Sequence, residues 1–92
     1  MDEFIEIPIE DSLDLHPFRP AEIRDVVLDY LEAARAMGFT EVRLIHGKGK
    51  GVQRASIRGL LAGLDFVEFY SDAGIGGGEW GATIVRMIPP DA

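Results

Sequence analysis

The stretch Glu41-Val42-Arg43-Leu44-Ile45-His46-Gly47-Lys48-Gly49-Lys50-Gly51-Val52 decides the fold. Its first five residues read as a short strand, and the alternation of glycine with lysine from Gly47 to Gly51 makes a turn. From Val52 the apolar positions Ile57, Leu60, Leu61 and Leu64 recur at helical spacing over about ten residues, and Gly63 marks the end. A strand, a glycine-rich turn and a helix in that order form the heart of a βαβ unit.

The same reading extends outward in both directions. Upstream, Leu13-Asp14-Leu15-His16 alternates with period two, so Leu13 and Leu15 face the core while Asp14 and His16 share the opposite face. Pro17 ends that strand. Pro20 suits the first turn of a helix, Ile23, Val26, Val27, Tyr30, Leu31 and Ala34 form its apolar stripe, and Gly38 stops it. Downstream, Val67–Tyr70 reads as a third strand, Ala73–Gly78 as a glycine loop, and Ala82–Ile88 as a last strand stopped by Pro89-Pro90. Phe4–Ile9 alternates loosely, but Pro8 argues against a central strand. Residues 1–11 are therefore an acidic extended lead-in and residues 12–92 a single domain.

Strand, helix, strand, helix, strand, strand predicts a two-layer α/β sandwich on a four-stranded mixed sheet. Two right-handed crossovers make the first three strands parallel, and the last returns antiparallel. His16, His46 and the glycine run before Trp80 then emerge at the C-terminal ends of the strands, where open α/β sheets bind ligands.

Composition bounds what such a domain does. With 92 residues, 47% of them hydrophobic, the chain has material for one core. It has no cysteine, which excludes disulfides and thiolate metal sites. No apolar run approaches the roughly eighteen residues of a membrane span, and the acidic start is unlike a secretory signal, so the expectation is a soluble cytoplasmic protein without a membrane partner. The net charge of −7 argues on its face against a phosphate polymer. Six acids and no cation lie in residues 1–15, however, leaving nine basic against ten acidic groups in the remainder. Between Glu41 and Asp65 there is no acid, but Arg43, Lys48, Lys50, Arg54 and Arg58 are present.

The Gly47–Gly51 loop suits a phosphate, because glycines allow close backbone approach, the first amides of a helix lack partners, and Lys48 and Lys50 add charge. The spacing matches neither a Walker loop nor a dinucleotide fingerprint. A tight turn without a ligand is the plainer reading. Asp14 and His16 suit a carboxylate orienting an imidazole, or two ligands of a hydrated divalent cation, and equally a structural hydrogen bond. Trp80 reads as packing or as a platform for a base.

The pairing of Leu13-Asp14-Leu15-His16 with His46-Gly47-Lys48-Gly49-Lys50-Gly51 about thirty residues later resembles the two-motif signature of the Smr (small MutS-related) domain family. Trp80-Gly81-Ala82-Thr83-Ile84-Val85 is similar to the ending of short stand-alone Smr proteins. The resemblance covers roughly residues 12–88. It implies a βαβαββ fold similar to the C-terminal domain of translation initiation factor three, nucleic-acid binding to DNA or RNA, and in several members endonuclease activity. Carried onto this chain, the first motif gives Asp14 and His16 and the second His46, Gly47, Lys48 and Gly49. Many members have Gly after the first histidine, where this chain has Pro17, which lacks a backbone donor.

Two function classes follow. In the first, a nucleic-acid-binding endonuclease uses Asp14, His16 and His46 in catalysis, with Gly47, Lys48, Gly49, Lys50, Gly51, Arg54, Arg58 and Trp80 on the polymer. Mg²⁺ or Mn²⁺ are the candidate cofactors, with no ligand set fixed by spacing. In the second, the same residues build a non-catalytic module that binds nucleic acid or protein.

Overall fold

The computed structural model describes residues 9–47, 51–73 and 81–91. The lead-in through residue 8, Lys48, Gly49, Lys50, the glycine run from Gly74 and Trp80 lie outside the described residues.

Strand β1 (Ser12–Asp14) is followed by a 3-10 turn at Pro20–Glu22 and by helix α1 (Ile23–Ala36). Strand β2 (Glu41–Ile45), helix α2 (Val52–Ala62), and strands β3 (Val67–Asp72) and β4 (Ala82–Met87) complete the order. This is the α/β architecture the sequence predicts. The sheet order is β1-β2-β4-β3. β1 pairs parallel with β2, and β4 is inserted antiparallel between β2 and β3. β3 therefore runs in the direction of β1 and β2 without touching either.

Several boundaries differ from the sequence reading, each for a local reason. β1 ends at Asp14, although the Leu15 amide still donates to the Ile45 carbonyl at 2.9 Å. The chain then turns, with the Phe18 amide donating to the Leu15 carbonyl at 3.1 Å, so Pro17 needs no donor of its own there. Pro20 opens a 3-10 turn ahead of α1, closed by the Arg19 amide on Glu22 Oε1 at 2.9 Å and the Glu22 amide on the Arg19 carbonyl at 2.8 Å. β3 continues past Tyr70 because Ser71 and Asp72 pair with Ile84 and Thr83, a contact that their polar side chains do not announce.

One face of the sheet carries the core. Val42 stands opposite Val85, Leu44 opposite Thr83 and Leu13 opposite Leu44, so these side chains share a face. Leu15, Val42, Leu44, Val85 and Met87 from the sheet side meet Ile23, Val27, Tyr30, Leu31 and Ala34 of α1 and Ile57 and Leu61 of α2, all buried. Each fully buried leucine contributes roughly 1.5–3 kcal/mol of transfer free energy, which makes this layer the main source of stability. Val26, Leu60 and Leu64 of the expected stripes are only partly buried. The other face bears Ser12, Asp14, Glu41, Arg43, Ile84 and Arg86 by register. Among the described residues no helix is long and apolar enough to cross a membrane.

The end of the lead-in is tied down. The Arg43 amide donates to the Asp11 carbonyl at 2.9 Å, and the Tyr30 hydroxyl donates to the Glu10 carbonyl. Burial, with the Asp11 and Glu10 charges adding, pushes the Tyr30 hydroxyl up to about 12, so it remains a donor. Tyr30→Phe removes only this donor and leaves the ring in the core. It should lower unfolding stability by about 1 kcal/mol in urea melts. No loss would show that the Glu10 contact does not hold the segment.

Candidate functional site

The register aligns the site across four strands. Asp14 stands opposite Ile45, Ile45 opposite Ala82, and Thr83 opposite Asp72. The C-terminal ends of β1, β2 and β3 and the start of β4 thus lie side by side, with His16, His46 and Gly47 just beyond.

His16 is fixed from one side by its neighbour. Asp14 Oδ1 accepts from the His16 amide at 3.0 Å and pairs with His16 Nδ1 at 2.7 Å. A carboxylate only accepts, so Nδ1 carries the proton and Nε2 presents its lone pair. The hydrogen bond from the His16 amide, then that from its ring, hold the Asp14 carboxyl below its usual range, and the pair stays charge-assisted at neutral pH. On the other side, a Cβ at Gly47 would lie 2.9 Å from His16 Nε2. Gly47 also has φ of +81°, which a side chain rarely adopts. The first motif's imidazole therefore rests on the second motif's glycine. Among the described residues Nε2 has no hydrogen-bond partner.

His46 is used differently. It follows Val42 and Leu44 on the core-facing parity and is buried. Its Nδ1 donates to the Gly47 carbonyl at 2.9 Å, which leaves Nε2 to accept from the Thr83 hydroxyl at 2.9 Å. The His46 and Gly47 amides both donate to the Gly81 carbonyl, at 3.0 and 2.8 Å. Burial lowers the His46 pKa against the opposing pull of the Gly47 carbonyl, and the Arg54 and Arg58 cations lower it further. Both ring nitrogens are occupied in pinning the turn to β4.

Arg54 and Arg58, one turn apart on α2, converge on Asp72 at the end of β3. Arg54 reaches Asp72 Oδ1 at 2.8 Å and Oδ2 at 3.1 Å through one terminal nitrogen, and Oδ1 at 3.1 Å through Nε. Arg58 reaches the same Oδ1 at 2.6 Å and lies over the Tyr70 ring at 5.4 Å. The hydrogen bond from Arg54, with both cations adding, holds the Asp72 carboxyl below its usual range. Gly51 caps α2. Arg43 lies on the opposite face of the sheet, opposite Ser12 and Ile84. Lys48, Gly49, Lys50 and Trp80 are outside the described residues.

Two residues of this edge escape the sequence reading. Thr83 is a buried polar residue in register with Val85 and Met87, and a hydroxyl on a core-facing strand position signals a partner. Asp72 carries no such signal, since it lies beyond the expected end of its strand. Among the described residues no three His, Asp or Glu side chains gather as a metal site.

The Smr domain profile matches residues 13–87. The chain belongs to the Smr domain family. It is 42% identical over 78 residues to the endonuclease MutS2 of Thermus thermophilus, covering 85% of this chain and 10% of that one. To the endonuclease MutS2 of Caldicellulosiruptor saccharolyticus it is 40% identical over 82 residues, with the same coverage. The chain thus spans about 10% of the length of these curated relatives. The crystal structure of the Smr domain of Thermus thermophilus MutS2 matches with a TM-score of 0.82 at 40% identity, over 87% of this chain and 100% of that one. YdaL, a stand-alone small MutS-related protein from Escherichia coli, matches with a TM-score of 0.80 at 30% identity, over 88% of this chain and 66% of that one.

Two measurements probe this Smr edge. Gly47→Ala introduces a Cβ against His16 at a left-handed position. It should cost about 1–2 kcal/mol in denaturant melts and shift the His16 ring resonances, whereas Gly63→Ala should leave those resonances in place. The His46 pKa is lower in the folded than in the unfolded chain. Its contribution to stability is therefore complete above the unfolded value of 6.5 and lost as pH falls through the folded value. The Tm should drop between about pH 7 and pH 5, and His46→Gln should flatten that drop. An equal slope in both proteins would contradict the burial of a neutral His46.

Proposed function

We propose that this Smr domain binds DNA or RNA along the strand-end edge and cleaves a phosphodiester bond with the Asp14–His16 pair. The observation that carries the reading is an imidazole whose Nδ1 is bonded to a carboxylate while Nε2, beside Gly47, has no hydrogen-bond partner among the described residues. That is the arrangement of a general base with its orienting group. The relatives named endonuclease MutS2 support it by similarity.

In this reading His16 Nε2 takes the proton of the attacking oxygen, from water or from a ribose hydroxyl. The new phosphorus–oxygen bond forms as the bond to the leaving oxygen breaks, and that oxygen takes its proton from water. Asp14 fixes the tautomer and stabilises the imidazolium. Lys48, Lys50 and the amides of Gly49 and Gly51 would hold the phosphate as charge builds on it, the Gly47 amide being committed to the Gly81 carbonyl. Arg54 and Arg58 would extend the track, and Trp80 would stack on a base. His46 acts as a positioning residue, since both its nitrogens hold the turn.

A binding module without turnover is the second reading, favoured by Pro17 after the first motif. Supercoiled plasmid, branched DNA and structured RNA, each with and without Mg²⁺ or Mn²⁺, separate the two. His16→Ala should lower cleavage by about 10²–10⁴-fold while binding changes little. Nicking equal in wild type and Asp14→Ala/His16→Ala would end the catalytic claim. With two to four phosphates neutralised, log affinity should fall with log salt at a slope of roughly −2 to −3.5. Binding that ignores salt, or survives Lys48→Ala/Lys50→Ala unchanged, would remove the loop as the phosphate site.

A further inference from the structure

We infer that Asp72 is a built-in competitor for phosphate, which sets how dense a polyanion must be before Arg54 and Arg58 engage it. The inference rests on the reading of this edge as the phosphate-facing one, and it concerns a residue that neither motif contains.

The geometry is that of an occupied anion site. Two guanidinium groups from successive turns of α2 direct three donor nitrogens at one carboxylate oxygen, and one of them, an Arg54 terminal nitrogen, also reaches the other oxygen. A phosphodiester offers a similar pair of acceptor oxygens, and forked guanidinium donors suit either group. The arginines are the better-buried partners, with side chains 29% and 24% exposed against 44% for Asp72. Arg58 is further held by the Tyr70 ring. The cations are thus preorganised, and the acid at the end of an outer strand is the movable part. Because its carboxyl is held ionised by the same cations, the competition persists at every pH near neutral.

The consequence is a threshold. A lone phosphate has to displace a carboxylate that is covalently attached and therefore at high effective concentration. A polymer already anchored at the neighbouring glycine turn brings its next phosphate at comparable effective concentration and can win. Asp72 would then select chains of phosphates over mononucleotides and free phosphate.

The test compares wild type, Asp72→Asn and Asp72→Thr, the last being a residue at home in strands. Thermal melts identify folded variants. Binding of a labelled single-stranded oligonucleotide is measured across salt, and inorganic phosphate is titrated against the arginine side-chain NMR signals. Loss of Asp72 should tighten oligonucleotide binding about tenfold at low salt and steepen the salt slope by about one to two units. It should also let free phosphate shift the Arg58 signal at millimolar concentration, a shift expected to be absent in wild type. Glu68→Gln, which removes an equal charge from the same strand, should change affinity less than twofold. In an Arg54→Gln/Arg58→Gln background, Asp72→Asn should have no effect. If wild type binds the oligonucleotide and the Asp72 variants bind it no tighter, the competitor role is wrong and the nucleic-acid reading stands. If no variant binds the oligonucleotide but loss of Asp72 opens the arginines to phosphate, the competitor role stands and that reading falls.

Discussion

The contact between the His16 imidazole and Gly47 is the constraint on which the site depends. It joins the end of β1 to the turn after β2, two segments separated by a helix. A Cβ at Gly47 would lie 2.9 Å from the ring nitrogen, too close for a side chain to be added without the ring shifting. Asp14 closes the arrangement from the other side, so the ring has a carboxylate at one nitrogen and a backbone surface at the other. Without the parallel pairing of β1 with β2, the two motifs would have no reason to meet.

Around that contact the protein uses two histidines in opposite ways. His16 stands on the open-face parity, exposed, with one nitrogen unbonded among the described residues. His46 stands on the core parity with both nitrogens engaged, tying the glycine turn to Thr83 and so to β4. The Gly81 carbonyl, shared by the His46 and Gly47 amides, fastens the same turn a second time. The start of the turn, at His46 and Gly47, is thereby fastened to Gly81 and Thr83 at the head of β4. The basic character of the edge is moderated in the same economical way, with Asp72 drawing two arginines of α2 onto the end of β3.

Much of this was legible in the sequence. Period-two alternation placed Leu13 and Leu15 inward and Asp14 and His16 outward, and the helical stripes gave both helices and the layer they cover. What alternation does not contain is neighbourhood. It assigns a residue to a face, but not a strand to its partners, so the insertion of β4 between β2 and β3 had no signal in the reading. The parity that took Val42 and Leu44 inward extends to His46, and it distinguishes the two histidines once the strand is followed one step past Ile45. Asp72 was invisible for a different reason. Ser71 and Asp72 have poor strand propensity and are held in the ladder by Ile84 and Thr83, a tertiary effect that overrides local preference. The five cations between Glu41 and Asp65 looked equivalent in sequence, yet Arg43 lies on the open face while Arg54 and Arg58 meet an acid from a distant strand.

The central claim is that Asp14 holds His16 in one tautomer with Nε2 facing the glycine turn, and imidazole ¹⁵N NMR at about pH 8 reads it directly. The wild-type protein should show a protonated Nδ1 and an unprotonated Nε2 for His16, and Asp14→Ala should return the ring to the mixed tautomers of free histidine. A protonated Nε2 in the wild type, or a spectrum that Asp14→Ala leaves unchanged, would contradict the account.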